Sequence, residues 1–125
     1  MKRPKSYRPK KGTGSSFNPR KNRDRLYDWK WDKYRFVFLK TNPKCYACGE
    51  RATVVDHLVA HKGDEKLFKK VDNHIPLCKF DHDTITAKYD RHEPQKYKEK
   101  LEYLAKRRSA KGVVTAVKVL PKYGV

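Results

Sequence analysis

Long apolar runs are missing from this chain. Nothing in its 125 residues approaches the 18 or more consecutive apolar side chains of a membrane-spanning helix, and the opening stretch MKRPKSYRPKKG leads into no apolar leader segment. The expectation is a soluble, cytoplasmic protein with no membrane partner, in the host cytoplasm if a phage encodes it. Cysteine is also scarce. The three present, Cys45, Cys48 and Cys78, are an odd set with one Cys-x-x-Cys pair, which argues against a disulfide framework and suits a reducing compartment and a metal. Acidic residues are outnumbered, 14 against 32 Lys plus Arg, for a net charge of +18. So lopsided a balance excludes an ordinary enzyme of small metabolites and names a polyanion as partner, because cations gain affinity for phosphates by counterion release whatever the base sequence. Charge alone does not choose between a binder and an enzyme. The length fits one small domain with a thin core, the kind that commonly relies on a metal or disulfide staple.

Residues 1–25 hold ten Lys or Arg and three Pro with almost nothing to bury, and read as a basic flexible arm. Its Arg3, Lys10, Lys11, Arg20, Arg23 and Arg25 are candidate nucleic-acid contacts. From about Asp24 to Lys40, Tyr27, Trp31, Tyr34 and Phe38 recur at spacings of four, three and four, which predicts a helix with one aromatic face. Such a stripe usually packs, with base stacking by Trp29 or Trp31 as the sharper alternative. Asn42-Pro43 ends the helix, since the residue before proline is pushed out of the α region. A knuckle, Cys45 to Gly49, leads into a short strand, Thr53-Val54-Val55, running to Asp56-His57. A loop from His61 returns through Asn73 to Ile75-Pro-Leu-Cys78, which Pro76 limits to an edge or irregular strand. A helix capped by Asp81 or Asp83 and running toward Tyr89 completes a two-stranded unit with one helix. Tyr97, Leu101 and Leu104 mark a further helix ending near Gly112. The domain is read as residues 26–112. The tail 113–125 is β-prone, either a strand on the domain or an arm that docks on a partner.

Two thiolates spaced Cys45-x-x-Cys48 can take adjacent vertices of a zinc tetrahedron. The second half of such a site is Cys78-Lys-Phe-Asp81, with a carboxylate where a fourth thiolate would stand. A structural zinc site of three thiolates and one carboxylate is chemically sound but weaker than one of four thiolates. His61, His74 and His92 are alternative fourth ligands, and three reduced cysteines without metal is the plain reading.

The sharper constellation is Asp56-His57, then Asn73 after 15 intervening residues, then His82 after 8 more. The stretch Ala52-Thr-Val-Val-Asp56-His57-Leu-Val-Ala-His61-Lys-Gly-Asp, followed by Asn73-x4-Cys78 and His82, resembles the HNH endonuclease family, particularly its small free-standing phage members. Similarity covers roughly residues 26 to 90. The resemblance implies an α+β fold, a ββα-metal core with a helix before it and another after. It implies a phosphodiester hydrolase acting on DNA, with His57 as general base. Asp56 and His82 would hold one catalytic Mg2+ or Mn2+, and Asn73 would tie the loop between the strands. Imidazole suits a base near neutral pH. Asp56 and His57 are adjacent on an extended strand and so point to opposite faces, and both serve one site only if the strand bends there. Lys62 is a candidate phosphate contact. The rival reading is a non-catalytic zinc-knuckle protein that binds nucleic acid; a double-strand cut would need a homodimer or a second event, and a third reading, a packaging or assembly factor on a degenerate nuclease fold, would act with a phage protein partner.

Overall fold

In the computed structural model, which describes residues 25–120, four α-helices surround a two-stranded antiparallel sheet. The arm positions Arg3, Lys10, Lys11, Arg20 and Arg23 lie outside the described residues, as do Asp24 and the last five residues of the tail. Helix α1 spans Trp29–Thr41. It starts later than the aromatic spacing predicts because Asp28 is its cap, accepting a hydrogen bond from the Trp31 amide at 3.1 Å. Tyr27 therefore precedes the helix and is not part of its stripe. Its ring packs edge-on against Trp31 and Phe68, with centroids 5.7 and 5.0 Å away. Trp31, Tyr34 and Phe38 are buried as the spacing requires, whereas Trp29 is 69% exposed.

The knuckle turns tightly, with the Gly49 amide on the Cys45 carbonyl at 2.9 Å and Gly49 at φ +79°, a conformation that strains any side chain. Strand β1, Val54–His57, pairs with β2, His74–Leu77, in a register that sets Asp56 opposite Ile75 and His57 opposite His74. With two strands both are edges, so Pro76 is tolerated. The segment of loop composition contains a helix, α2, Glu65–Lys69. Asp64 caps it by accepting from the Lys66 and Leu67 amides, and its Phe68 is fully buried. A 3-10 turn, Val71–Asn73, leads into β2.

Helix α3, Lys79–Ile85, is capped by the Cys78 sulfur, which accepts from the Asp81 amide, so neither Asp81 nor Asp83 is the cap. A π-helical turn, Thr86–Asp90, prolongs it. Helix α4, Tyr97–Lys111, stops at Gly112 in the left-handed conformation, φ +66°. Its buried seam differs from the predicted one. Tyr97 and Leu101 are about two-fifths exposed, whereas Lys100 and Leu104 are buried.

The pleat of the sheet separates two cores. Val55 faces α1 with Leu26, Trp31, Tyr34, Phe38 and Phe68. Ile75 and Leu77 face α3 and α4 with Cys45, Ala47, Ile85 and Leu104. The tail to Leu120 runs extended over the domain without forming a strand. Asn42 holds it, accepting from the Lys118 amide at 2.8 Å and donating to its carbonyl at 2.9 Å.

Candidate functional site

Alternation along β1 sends its two polar residues to opposite faces of the strand, and the chain bends immediately after them, at residues 58 and 59. On the α1 side, His57 is buried among rings, stacked on Trp31 at 5.5 Å and on Phe68 at 5.0 Å, with His61 at 4.7 Å. Its Nε2 donates to the Phe68 carbonyl at 3.1 Å. That carbonyl closes the last turn of α2, where no intrahelical donor reaches it, and it accepts from His74 Nε2 as well, at 2.7 Å. His74 Nδ1 then accepts from the Tyr34 hydroxyl at 2.6 Å. A carbonyl only accepts, so both imidazoles carry their proton on Nε2. No buried side-chain nitrogen or oxygen among the described residues lacks a partner, and His57 bonds only through Nε2, so its Nδ1 reaches solvent with a lone pair. Burial, then repulsion from His74 and His61, holds His57 well below the ordinary imidazole range.

On the opposite face, Asp56 meets His82 of α3, with Oδ1 3.7 Å from Nε2. Lys100 of α4, fully buried, takes the other oxygen, Oδ2, at 3.0 Å. The same ammonium bonds Asp90 at 3.0 Å and the carbonyls of His57 and Leu58 at 2.7 and 2.9 Å. The π-helical turn brings Asp90 within its reach. Burial pushes Asp56 above the ordinary carboxylate range, with Lys100 pulling the other way. Asp56, His61, His82, Asp90, Tyr27 and Arg91 line one open groove. His61 has both ring nitrogens engaged, Nδ1 with the Gly63 amide and Nε2 with the Tyr27 hydroxyl. Lys62 sits at the groove edge, bound to the Asp90 carbonyl at 2.7 Å and to Glu93 at 2.9 Å. Arg25 is exposed.

Asn73 clasps the loop after β1. Its Oδ1 accepts from the Val59 amide at 2.8 Å and its Nδ2 donates to the Val59 carbonyl at 2.9 Å, as a strand partner would.

A second cluster lies against the far part of α4. Cys45, Cys48, Cys78 and Asp81 offer ligand atoms that all lie within 4.8 Å of one another and could hold a metal ion. Asp81 is fully buried; one carboxylate oxygen faces the thiols and the other accepts from the Tyr103 hydroxyl at 3.0 Å and from Arg107 Nε. Burial alone would raise Asp81, but hydrogen bonds from the three thiols and Tyr103 hold it below the ordinary range. Burial pushes the Cys48 thiol up to about 12 and raises Cys78 too. Burial and the Asp81 carboxylate take Tyr103 to about 12. His74 and His61, offered as alternative fourth ligands, are bonded elsewhere, and His92 is exposed on a turn.

Sequence reasoning missed Lys100, Tyr103, Arg107 and Arg91. The first three share one face of α4 at spacings of three and four, a visible periodicity, but polar residues at those spacings read as a solvated face. No family model matches the chain, and neither a curated protein nor a solved structure matches it significantly.

Proposed function

We propose that this protein is a metal-dependent DNA endonuclease of the HNH type, and the observation that carries the reading is the Asp56–His82 pair. A strand and the helix that follows its partner strand deliver a carboxylate oxygen and an imidazole nitrogen to one open groove, 3.7 Å apart. Two ligands at right angles on an octahedral ion with bonds of about 2.1 Å stand about 3.0 Å apart, so the pair is several tenths of an ångström wide for Mg2+ or Mn2+ and close enough to share one. Bound there, a divalent cation supplies charge neutralisation at the phosphate and the leaving oxygen. Lys100 limits Asp56 to a single free oxygen, which favours an ion that completes its shell with water and phosphate. His57 offers Nδ1 as proton acceptor for the attacking water, its tautomer fixed by the Phe68 carbonyl. Its ring adjoins that of His61, which lines the groove. Asn73 holds the intervening loop, and exposed Arg91 is placed for a phosphate.

The cluster of three cysteines and Asp81 serves as a structural zinc site in this reading. A tetrahedron with sulfur at about 2.3 Å and oxygen at about 2.0 Å has S···S edges of about 3.8 Å and S···O edges of about 3.5 Å. Cys48 and Cys78 sulfurs are 3.7 Å apart, and Asp81 Oδ2 is 3.4 and 3.1 Å from those of Cys45 and Cys78. The same cluster, with a net charge of +18, also favours the second reading, a zinc-knuckle nucleic-acid binder without catalysis.

Supercoiled plasmid at fixed salt separates the two. Wild type is expected to nick with Mg2+ or Mn2+ and not without, and His57→Gln, whose amide keeps a donor for the Phe68 carbonyl, is expected to lose roughly 100- to 10,000-fold. Binding should stay near wild type and the circular dichroism unchanged. Nicking by the variant at the wild-type rate overturns the base; binding without scission by wild type moves the conclusion to the knuckle reading.

A further inference from the structure

The ion pairs of this molecule are unevenly distributed. Lys62, Lys69, Lys79, Lys100 and Arg107 each meet a carboxylate. Between α1 and the knuckle, a second groove is lined by Arg35, Phe36, Leu39, Lys40, Arg51 and Thr53 with no acidic residue in its wall. Among the described residues, none of its three cations has an ion-pair partner. Arg35 is nevertheless fixed, because its Nη2 donates to the Thr53 carbonyl at 2.9 Å, leaving the other guanidinium donors for a ligand. Phe36 stands at the rim, 60% exposed on a helix whose rings at Trp31, Tyr34 and Phe38 are buried. The Lys40 ammonium lies 4.8 Å from its ring centre.

We infer that this groove binds a single strand of nucleic acid, a base stacking on Phe36 while Arg35, Lys40 and Arg51 hold the adjoining phosphates. An exposed aromatic ring in a cationic, acid-free groove is the arrangement that binds single strands independently of sequence. A duplex would satisfy the cations but hides the base faces that Phe36 needs. An acidic peptide would satisfy the cations and leave the ring unused. Thr53, in the groove wall, is three residues before Asp56 in nearly extended chain, a separation of about 10 Å. The inference does not depend on cleavage and holds for the non-catalytic reading as well.

The test is fluorescence anisotropy on the full chain with no divalent cation added, using a short labelled oligothymidylate and the duplex it forms with oligoadenylate. Phe36→Ala is expected to weaken single-strand binding roughly tenfold, with Phe36→Trp restoring it and duplex binding moving less than about twofold. Arg51→Gln with Lys40→Gln should reduce the salt dependence of single-strand binding by about 1.4 in log–log slope, about 0.7 for each phosphate no longer neutralised. All these side chains are exposed, so unchanged circular dichroism is expected. Equal losses for single strand and duplex, wild-type affinity in Phe36→Ala, or displacement of the oligonucleotide by polyglutamate as effective as by unlabelled oligothymidylate would each overturn the assignment.

Discussion

Asp81 and Asp56 are both buried carboxylates held by α4, yet their surroundings carry different charge. Around Asp81 stand three thiols, a phenol and one guanidinium, so with the thiols protonated the cluster is already neutral. Around Asp56 stand a second carboxylate, Asp90, and a single ammonium, leaving one negative charge in excess, with His82 beside it. The first cluster is satisfied without an ion and takes one only by releasing protons. The second has uncompensated negative charge facing an open groove. The two clusters are thus separated along one helix, with Lys100 at the groove and Tyr103 and Arg107 at the cysteines.

Removing Lys100 tests that contrast hardest. Lys100→Met keeps the apolar stem but leaves Asp56 and Asp90 facing each other uncompensated in the interior. Breaking a buried pair from one side costs about 3–5 kcal/mol, a large part of a small domain's stability. Urea unfolding should show that loss, and Mn2+ should recover part of it, because the two carboxylates and two carbonyls around the vanished ammonium suit a divalent cation. A loss below about 1 kcal/mol, the range of exposed pairs, would mean water reaches these carboxylates and the contrast is false.

Zinc tests the other side of the comparison. Metal-stripped protein should remain folded, since the protonated cluster satisfies its own hydrogen bonds, and zinc at a hundredfold excess over its Kd should add about 2.7 kcal/mol. Asp81→Cys should bind zinc more tightly yet be less stable without it, because Tyr103 and Arg107 lose their acceptor. Unfolding of the stripped protein would show that the cluster is not self-sufficient.

What the sequence makes legible follows from the range of the interactions involved. The β1–β2 pair, the ends of α4 and the approach of Cys78-x-x-Asp81 to Cys45-x-x-Cys48 depend on local signals: β-branched runs, a terminal glycine, fixed spacings. The helix at Glu65–Lys69 is hidden because its five residues are mostly charged, and only Phe68 is buried. The seam of α4 is misread for a physical reason. Apolar periodicity finds the face that meets apolar partners, whereas α4 also meets the carboxylates of Asp56, Asp81 and Asp90, which lie on β1, α3 and the π-helical turn. Lys100, Tyr103 and Arg107 therefore face inward while Leu101 is about two-fifths exposed. Nothing local in the sequence marks Lys100 as buried, since its partners are 44 and 10 residues away.

Tyr103→Phe gives the smallest expected effect and the finest division between the clusters. It removes one hydroxyl from Asp81 and leaves the ring against Tyr89, its centroid 5.9 Å away, and the Arg107 pair in place. A hydrogen bond to a charged group is worth about 1.5–3 kcal/mol, and here the lower end applies, because Asp81 keeps a guanidinium on the same oxygen. Thermal unfolding should register about 1.5 kcal/mol without zinc. With zinc saturating, the inner oxygen Oδ2 would bind the ion, which draws charge from the carboxylate and weakens the bond to the outer oxygen, so the loss should shrink. Plasmid nicking should be unchanged in either state, because Tyr103 touches nothing at the Asp56 groove; a nicking defect would mean that α4 couples the two clusters it otherwise keeps apart.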